Sequence, residues 1–352
     1  MPELENLAKQ LILKNGPLRL DQFMELALLH PTYGYYNKRQ PIGKIGTFTT
    51  APEMTQIFGE LIGLCFAHRW KQFYPHQEFA LLELGPGRGT LMADCLRATS
   101  GIEQFNPSCR LFLFERSTSL KAQQKCRLNH YQPTWIDRLD TLPQMPLFVI
   151  ANEFFDALPV RQFQRGKVAW KEKVIDLSKG RLDYRFQCEA PFEPLNCRLS
   201  DTQEGDLIEH REGTGELIEA IARGIKNNGG MGLIIDYGEI KSQGDTFQAI
   251  GQQGFTDTLS NPGESDLTAH VDFGSMISVA HNFVDTCLTE QGTLLSNLGI
   301  QIRSQHLAQN MRGLELESHW AAINRLVHPQ EMGRLFKALT LFPKNTSIPD
   351  GF

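Results

Sequence analysis

Residues 83–90, with the sequence ELGPGRGT, carry glycines at alternate positions between a predicted strand and a predicted helix. Glycine lets the backbone turn sharply and approach a ligand with no Cβ atom in the way. Amide N–H groups at the start of the following helix can then face a polar ligand. The segment predicts a ligand-binding loop lined by Gly85, Pro86, Gly87 and Gly89.

The glycine spacing and the preceding acid indicate the class of ligand. A dinucleotide loop reads GxGxxG, but the third glycine of that pattern would fall at Thr90. A phosphate-binding loop of the Walker type needs Gly-Lys-Ser/Thr, and the lysine is missing here. Glu83 stands two residues before Gly85, where its charge opposes a pyrophosphate and suits a cation. S-adenosylmethionine carries a sulfonium and an ammonium group and no phosphate, so it fits the loop better than NAD.

Polar residues follow the other predicted strands as well. Glu115 ends the second strand, where a carboxylate can accept hydrogen bonds from both ribose hydroxyls. We expect Glu83 to face the methionine end of the cofactor and Asp137, after a short third strand, to reach the adenine. Asn152 follows the fourth strand and completes the predicted cofactor set. A helix-start turn beside a solvated surface glutamate is the structural alternative.

Two further groups of polar residues are candidates for chemistry. Glu153 and Asp156 come directly after the fourth strand, so their charges would favour a cationic substrate at the same edge of the sheet. His270 and Asp272 are two residues apart and share one face of an extended strand. That pair has no third ligand nearby, so the sequence predicts no metal site.

Composition limits the functional class. The chain has 352 residues, 41% of them hydrophobic and 21% charged, with a net charge of −5. These values are typical of a globular protein and give no basic surface for nucleic acid. No apolar run of about 18 residues appears, so we expect no membrane insertion.

The start of the chain and its cysteines predict the compartment. The first five residues, MPELE, are acidic and differ from both a secretory signal and a transit peptide. The seven cysteines are scattered and form no CxxC pair. We therefore expect a reduced, cytoplasmic protein.

Short apolar runs alternate with helical patterns along most of the chain. The predicted strands cover 79–84, 111–115, 134–136, 147–151, 232–236 and 335–342. The predicted helices cover 53–73, 90–98, 117–128 and 214–226. Continuous apolar strands separated by helices predict an α/β fold with a parallel, doubly wound sheet.

Three domains follow from this pattern. Residues 1–75 are predicted to form an N-terminal helical cap and a substrate loop, with two helices between 3 and 30. Residues 76–159 and 211–352 form the sheet core with C-terminal helices. Residues 160–210 interrupt the rhythm with antiparallel patterns and are predicted to form an inserted β-subdomain.

Several motifs together resemble the MidA-like family of class I S-adenosylmethionine-dependent methyltransferases. They are GYY (34–36), TAPE (50–53), FGELIG (58–63), ELGPGRGTLMADCLR (83–97), ANEFFDALP (151–159), IDYG (235–238), DLTAHVDF (266–273) and MGRLFK (332–337). The family includes the mitochondrial protein-arginine methyltransferase that assists assembly of respiratory complex I. The resemblance covers about residues 30–340 in order, and it implies a Rossmann-like, seven-stranded methyltransferase core.

The resemblance also implies the reaction, which is methyl transfer from S-adenosylmethionine to an arginine side chain of a protein. A guanidinium is almost always protonated, so carboxylates must hold it and take up a proton. We expect Glu153 and Asp156 in that role, with Glu53, His270 and Asp272 as secondary candidates. A protein substrate is the expected partner, and a homodimer is left open.

Two departures from the family pattern keep alternatives open. Thr47 follows Gly46 where the family usually has Asp, and Gln252-Gln253 stands where a His tends to occur nearby. These departures leave room for a non-enzymatic, cofactor-binding assembly factor. A nicotinamide-dependent oxidoreductase is the other alternative, opposed by Thr90 and Glu83.

Overall fold

The computed structural model describes residues 3–37, 50–251 and 254–352. Thr47, Gln252 and Gln253, the departures from the family pattern, lie outside the described residues. The strands are β1 (Leu18–Arg19), β2 (Phe79–Leu84), β3 (Cys109–Phe114), β4 (Thr134–Ile136), β5 (Leu147–Asn152), β6 (Arg161–Arg165), β7 (Trp170–Ser178), β8 (Arg181–Phe186), β9 (Leu207–His210), β10 (Gly230–Glu239), β11 (Gln248–Gly251), β12 (Gly254–Thr256), β13 (Asp266–Thr268), β14 (Val271–Asp272), β15 (Asp285–Glu290) and β16 (Phe336–Phe342).

The α-helices surround these strands in sequence. They are α1 (Glu3–Asn15), α2 (Leu20–Leu29), α3 (Ala51–Met54), α4 (Gln56–Phe73), α5 (Thr90–Ala98), α6 (Phe105–Ser108), α7 (Thr118–Leu128), α8 (Thr214–Asn228), α9 (Phe273–Ala280), α10 (Gln291–Asn297), α11 (Ile300–Ala308), α12 (Gly313–Val327) and α13 (Met332–Leu335). Along the described residues, no helix combines the length and apolar character needed to cross a bilayer.

The chain divides into two compact units. The small unit contains the described residues of Met1–Phe48, Asp156–Gly213 and Lys241–Val271, and the large unit contains those of Thr49–Phe155, Thr214–Ile240 and Asp272–Phe352. In the small unit β1 pairs with β7, so the N-terminal segment and residues 160–210 share one sheet. The division into cap, core and inserted subdomain stays a prediction.

The large unit is built on a mostly parallel sheet with the strand order β15-β16-β10-β5-β2-β3-β4. The strands β4, β3, β2, β5 and β10 run parallel, and β16 runs antiparallel to both β10 and β15. Strands β2 and β5 are buried along their whole length. Burial on both faces explains the continuous apolar runs of these two strands. The strand order, with seven strands along its path, confirms the predicted α/β fold.

Helices α4 and α5 pack against this sheet to form the core of the large unit. Aromatic rings from the sheet and the helices meet there, with the ring centroids of Phe79 and Phe105 4.8 Å apart and those of Phe66 and Phe148 5.6 Å apart. Trp70 packs edge-on against Phe105 at 5.5 Å. Packing of this kind fixes β2 and β5, whose carboxyl ends carry the candidate site.

The small unit contains two antiparallel sheets. One has the order β1-β7-β6-β9 with β8 paired to β7, and the other has the order β12-β11-β13. The antiparallel patterns predicted within residues 160–210 correspond to β6, β7 and β8, whereas β9, β11, β12 and β13 were missed. These missed strands have four, four, three and three residues, too few for a recognisable alternation of apolar and polar residues.

The predicted long helix from Glu53 to Phe73 is wrong at its start. It divides into α3 and α4 at Thr55, whose backbone is extended with φ −155° and ψ 140°. The Thr55 hydroxyl accepts a hydrogen bond from the Ile57 N–H at 3.3 Å and caps α4. This break places Glu53 in a separate short helix. Strand β15 was also missed, and all six of its residues are only partly buried.

An ion-pair network ties α4 to two other helices of the large unit. The Glu60 carboxylate is buried and accepts hydrogen bonds from Arg97 of α5 at 2.9 Å and from Arg303 of α11 at 2.7 Å. Burial opposes the charge, but the bonds from Arg303 and Arg97 outweigh it and hold the pKa of Glu60 below its usual value. Glu60 therefore stabilises the packing of α4, α5 and α11.

We expect Glu60→Gln to lower the free energy of unfolding by about 1–3 kcal/mol at pH 7, the range for a hydrogen bond to a charged group. The lowered pKa gives stability above the unfolded value near 4.3 that is lost as the pH falls through the folded value. Urea unfolding at pH 7 and pH 4 should therefore show a smaller difference from wild type at pH 4. Glu5→Gln, in the partly exposed Glu5–Lys9 pair, is the matched control. Equal effects of both variants would contradict this role of Glu60.

Candidate functional site

The glycine loop of the large unit joins β2 to α5 in a left-handed backbone conformation. Gly85, Gly87 and Gly89 have φ angles of +63°, +52° and +75°. A Cβ atom on Gly85 would lie 2.7 Å from the Cδ2 atom of Phe154. The buried Pro86 accepts a hydrogen bond from the Gly89 N–H at 2.7 Å, which closes the turn. The loop therefore requires glycine for both conformation and space.

Gln124 of α7 connects this loop to Glu115. Its amide nitrogen donates to the Gly87 carbonyl at 2.8 Å and to the Glu115 carboxylate at 3.2 Å. Its amide oxygen accepts from the Trp135 indole at 2.7 Å, and the side chain is fully buried. Sequence analysis missed Gln124 because a single glutamine in a helix gives no signal. It orients Glu115 after β3 and fixes the loop beside it.

Glu83 is the buried acid at the end of β2. Its Oε2 atom has no hydrogen-bond partner among the described residues. Burial and the nearby charge of Glu115 raise the pKa of Glu83 to about 8. Burial also raises the pKa of Glu115, although the Ser117 N–H donates to that carboxylate at 2.8 Å. Without a cationic partner, Glu83 therefore holds a proton at neutral pH.

Asn152 lies beside Glu83 on the neighbouring strand β5. Glu83 is paired with Ile150 in the register, so Glu83 and Asn152 face the same side of the sheet. The Asn152 Oδ1 atom is buried and also has no hydrogen-bond partner among the described residues. Two uncommitted acceptor atoms thus lie at the carboxyl ends of adjacent strands. This arrangement suits a ligand that donates hydrogen bonds, such as an ammonium group.

Glu153 has a left-handed backbone with φ +50°, which costs a non-glycine residue on the order of 1 kcal/mol or more. Its Oε1 atom accepts from the Ala51 N–H and from the Asn152 amide, both at 3.1 Å. Ala51 is the first residue of α3, so this carboxylate orients the start of that helix. Asp236 holds the same turn, because its Oδ2 atom accepts from the Phe155 N–H at 3.0 Å.

Two of the predicted catalytic acids hold backbone or loop segments in place. The Glu53 carboxylate accepts from the Thr90 hydroxyl and lies 3.3 Å from the Arg88 guanidinium, so it contacts the glycine loop. Asp272 caps α9 by accepting from the Ser275 N–H at 2.9 Å. Both contacts support positioning roles for these carboxylates.

Asp137, the predicted adenine residue, is exposed and follows β4 directly. The structure gives it no contact with Glu83 or Glu115, although it lies after the strand next to β3. Among the described residues, no three His, Cys, Asp or Glu side chains come together as metal ligands do.

The small unit brings Asp156 close to two residues that sequence analysis did not assign to the site. The Tyr36 hydroxyl donates to the Asp266 carboxylate at 2.8 Å. Burial and the charge of Asp156 raise the pKa of Asp266 to about 7. Tyr36 and Asp266 both lie in motifs found in the sequence, at 34–36 and 266–273. The contact between them could not be predicted because 230 residues separate them.

His270 belongs to the same unit. Its side chain is half-buried, and its N–H donates to the Thr246 hydroxyl at 2.8 Å. The carbonyl of Asp156 accepts from the neighbouring Ala269 N–H at 3.2 Å. The structure thus brings the backbone of Asp156 next to that of residues 269–270.

Comparison with known proteins relates the chain to methyltransferases both through a family model and through curated relatives. Residues 61–287 match a family described as "Putative S-adenosyl-L-methionine-dependent methyltransferase". A Drosophila melanogaster protein named "Protein arginine methyltransferase NDUFAF7 homolog, mitochondrial" is 33% identical, covering 96% of this chain and 85% of that protein. The Homo sapiens protein arginine methyltransferase NDUFAF7, mitochondrial, is 31% identical over 94% of this chain and 81% of its own.

Among solved structures, a Burkholderia thailandensis protein crystallised with S-adenosyl-homocysteine has the same fold. The TM-score is 0.84 at 24% identity, with 99% of this chain and 95% of that chain covered. These similarities confirm the predicted family and cofactor class. They oppose both the nicotinamide oxidoreductase and the non-enzymatic alternative, because the family and the curated relatives are described as methyltransferases.

The predicted cytoplasmic location is wrong, because the curated relatives are named as mitochondrial proteins. The error has a chemical reason. Scattered cysteines without pairing motifs indicate a reducing environment, but they do not distinguish one reducing compartment from another. Cysteine usage was therefore too coarse a signal for the compartment.

We expect Gly85→Ala to destabilise the protein by about 1–3 kcal/mol and to weaken binding of S-adenosyl-homocysteine, because the new Cβ meets Phe154 at a left-handed position. Gly101→Ala is the control, since no atom lies within 4 Å of its added Cβ. Thermal melting and calorimetric titration measure the two effects. Wild-type affinity in a folded Gly85→Ala protein would place the ligand away from this loop.

Proposed function

Because the chain belongs to the family of S-adenosylmethionine-dependent methyltransferases, we propose that it methylates an arginine side chain of a protein substrate. The curated relatives are named protein arginine methyltransferases, and their similarity extends over nearly the whole chain. The observation that carries the site is the buried Glu83, whose Oε2 atom has no partner among the described residues and faces the same side as Asn152.

The polar residues around the glycine loop fit the groups of S-adenosylmethionine. Glu83 and Asn152 would hold its ammonium group, because both offer a buried acceptor atom. Glu115 would accept from the ribose hydroxyls, and the left-handed glycine loop would bring backbone close to the ligand. Asp137, after β4, is the proposed residue for the adenine. When bound, the cofactor would supply a methyl group on a sulfonium, from which a neutral thioether leaves readily as S-adenosyl-homocysteine.

The protein's main contribution to the rate is then placement. Holding the acceptor nitrogen in line with the methyl group makes the reaction effectively unimolecular, which lowers the barrier by several kcal/mol. Gln124 supports this by fixing Glu115 and the loop together. Glu53 supports it by holding Thr90 and Arg88.

The acceptor is a cation that must lose a proton when its nitrogen gains the methyl group. Carboxylates can grip the guanidinium and localise its charge away from the attacking nitrogen. We assign this role to Glu153 and Asp156, with His270 as a further candidate for the proton. The contacts of Glu53 and Asp272 support positioning for those two acids, so they rank below the others.

The raised pKa of Glu83 gives the cofactor site a pH dependence. A ligand ammonium favours the carboxylate, so binding releases the proton that Glu83 holds below about pH 8. We expect affinity for S-adenosyl-homocysteine to rise from pH 6 to pH 8, by at most about tenfold per pH unit. Titration calorimetry in buffers of different ionisation enthalpy measures both the affinity and the proton release.

The control for this measurement is Glu83→Gln, which should bind more weakly and lose the pH dependence. Glu115→Gln should weaken binding and keep a dependence on pH, moved to lower pH because the charge of Glu115 helps to raise the pKa of Glu83. An identical pH slope in wild type and Glu83→Gln would show that another group releases the proton.

Charge removal tests the acceptor assignment. We expect Glu153→Gln and Asp156→Asn to keep S-adenosyl-homocysteine affinity within a few-fold and to lower methyl transfer by about 10²-fold, the scale for a positioned acid–base group. The assay incubates the protein with labelled S-adenosylmethionine and a cell extract, and mass spectrometry locates the labelled residue. Asp140→Asn, an exposed acid, is the control.

Thermal melts are needed beside this assay, because Glu153 also orients α3 through Ala51. A purely structural turn would lose activity only in proportion to folded protein. Wild-type rates in both folded variants would refute the acceptor assignment. Label on a residue other than arginine would refute the proposed substrate class.

A further inference from the structure

Arg211 in the small unit donates several hydrogen bonds to the backbone near Asp156. It follows β9 directly and is half-buried. Its Nε atom donates to the Leu158 carbonyl at 3.3 Å, and Nη1 donates to the His270 carbonyl at 2.6 Å. Its Nη2 atom donates to the carbonyls of Asp156 at 3.4 Å and Ala269 at 2.5 Å. One guanidinium therefore joins the turn after β5 to residues 269–270.

The acceptors in this set are main-chain oxygens, so the contact fixes backbone position more than it balances charge. A guanidinium presents its N–H donors in a rigid planar fork and loses little freedom when it binds several acceptors. The two segments are also joined by the Ala269 N–H, which donates to the Asp156 carbonyl at 3.2 Å. Arg211 adds bonds on either side of that single backbone contact.

The carboxyl end of β9 also fixes the backbone N–H of His270, through Glu209 and Thr246. The hydroxyl of Thr246 donates to the carboxylate of Glu209, and its N–H donates to that carboxylate at 3.0 Å. Thr246 in turn accepts from the His270 N–H at 2.8 Å. Glu209 and Arg211 are two residues apart, so the carboxyl end of β9 holds both the N–H and the carbonyl side of His270.

We propose that Arg211 is a positioning residue for methyl transfer. Its guanidinium sets the position of Asp156 relative to His270. The inference rests on the proposed function, in which these two side chains serve the cationic acceptor. The same placement affects Asp266, whose pKa is raised in part by the charge of Asp156 and whose carboxylate accepts a hydrogen bond from Tyr36. Displacing a reacting group by about 1 Å can cost 10²-fold in rate, so such a clamp has a large effect on catalysis.

The test compares Arg211→Lys with Arg165→Lys. Arg165 also donates to backbone carbonyls in the small unit, those of Gly166 at 2.6 Å and Ala169 at 3.4 Å, but neither residue belongs to the proposed site. Lysine keeps the charge and loses the planar fork. We expect both variants to melt at similarly reduced temperatures and to bind S-adenosyl-homocysteine within twofold of wild type.

The rates should differ between the two variants. With labelled S-adenosylmethionine at saturation and cell-extract protein as acceptor, Arg211→Lys should transfer label at least tenfold more slowly, and Arg165→Lys at the wild-type rate. Arg211→Ala should be partly restored by guanidinium ions at millimolar concentration, which can occupy the vacated fork. Equal rates for both lysine variants, or no restoration of a folded Arg211→Ala protein, would overturn the proposal.

Asp156→Asn, assayed in parallel, separates this inference from the proposed function. If Asp156→Asn is impaired while Arg211→Lys behaves as Arg165→Lys does, the acceptor role stands and the positioning role of Arg211 is refuted. If Asp156→Asn transfers label at the wild-type rate, the acceptor assignment fails, and the inference fails with it.

Discussion

The buried carboxylate of Glu83 is the interaction on which the rest of the large unit's site depends. Burying a charged acid without a partner costs free energy, and burial together with the charge of Glu115 raises the pKa of Glu83 to about 8. The site is therefore poorly satisfied in the protein by itself, and a cationic ligand would relieve it.

The surrounding structure keeps this arrangement in place by rigid, local means. The left-handed glycine turn stays next to Phe154, and Gln124 connects it to Glu115 through a buried amide. Glu153 adopts a left-handed conformation without being glycine, and bonds to Ala51 and Asn152 hold it there. Backbone strain at a site persists when its surroundings determine it, as these bonds do.

Sequence reasoning predicted the strands of the sheet well, because a strand buried on both faces has a continuous apolar run that few other elements share. It also found the glycine loop, since alternating glycines after such a strand have a clear conformational meaning. It missed the break at Thr55, because one capping hydroxyl inside an apolar helical pattern is a weak local signal. It missed β11 to β13 because short strands are stabilised by pairing partners that lie far away in sequence.

The candidate site residues also fall into those that the sequence pattern indicates and those that only the folded structure brings to the site. Glu83 and Glu115 were accessible to sequence reasoning because each ends an apolar strand. Gln124 gave no signal, and the motifs that contain Tyr36 and Asp266 were visible but the contact between them was not, because it forms only in the folded chain. Residue type alone does not separate chemistry from support. The catalytic roles of Glu53 and Asp272 stay predictions, and the structure adds that one carboxylate contacts the glycine loop and the other caps α9.

The small unit poses a problem in electrostatics that the proposed acceptor would resolve. Asp156 and Asp266 are both buried, and burial together with the charge of Asp156 raises the pKa of Asp266 to about 7. The Tyr36 hydroxyl donates to the Asp266 carboxylate at 2.8 Å. A guanidinium beside these carboxyl groups would favour their charged forms. In the proposed function Asp156 and Glu153 bind this cation, and Asp266 would add a second negative charge beside Asp156. Arg211 would then hold the backbone of Asp156 in place while its side chain meets the acceptor.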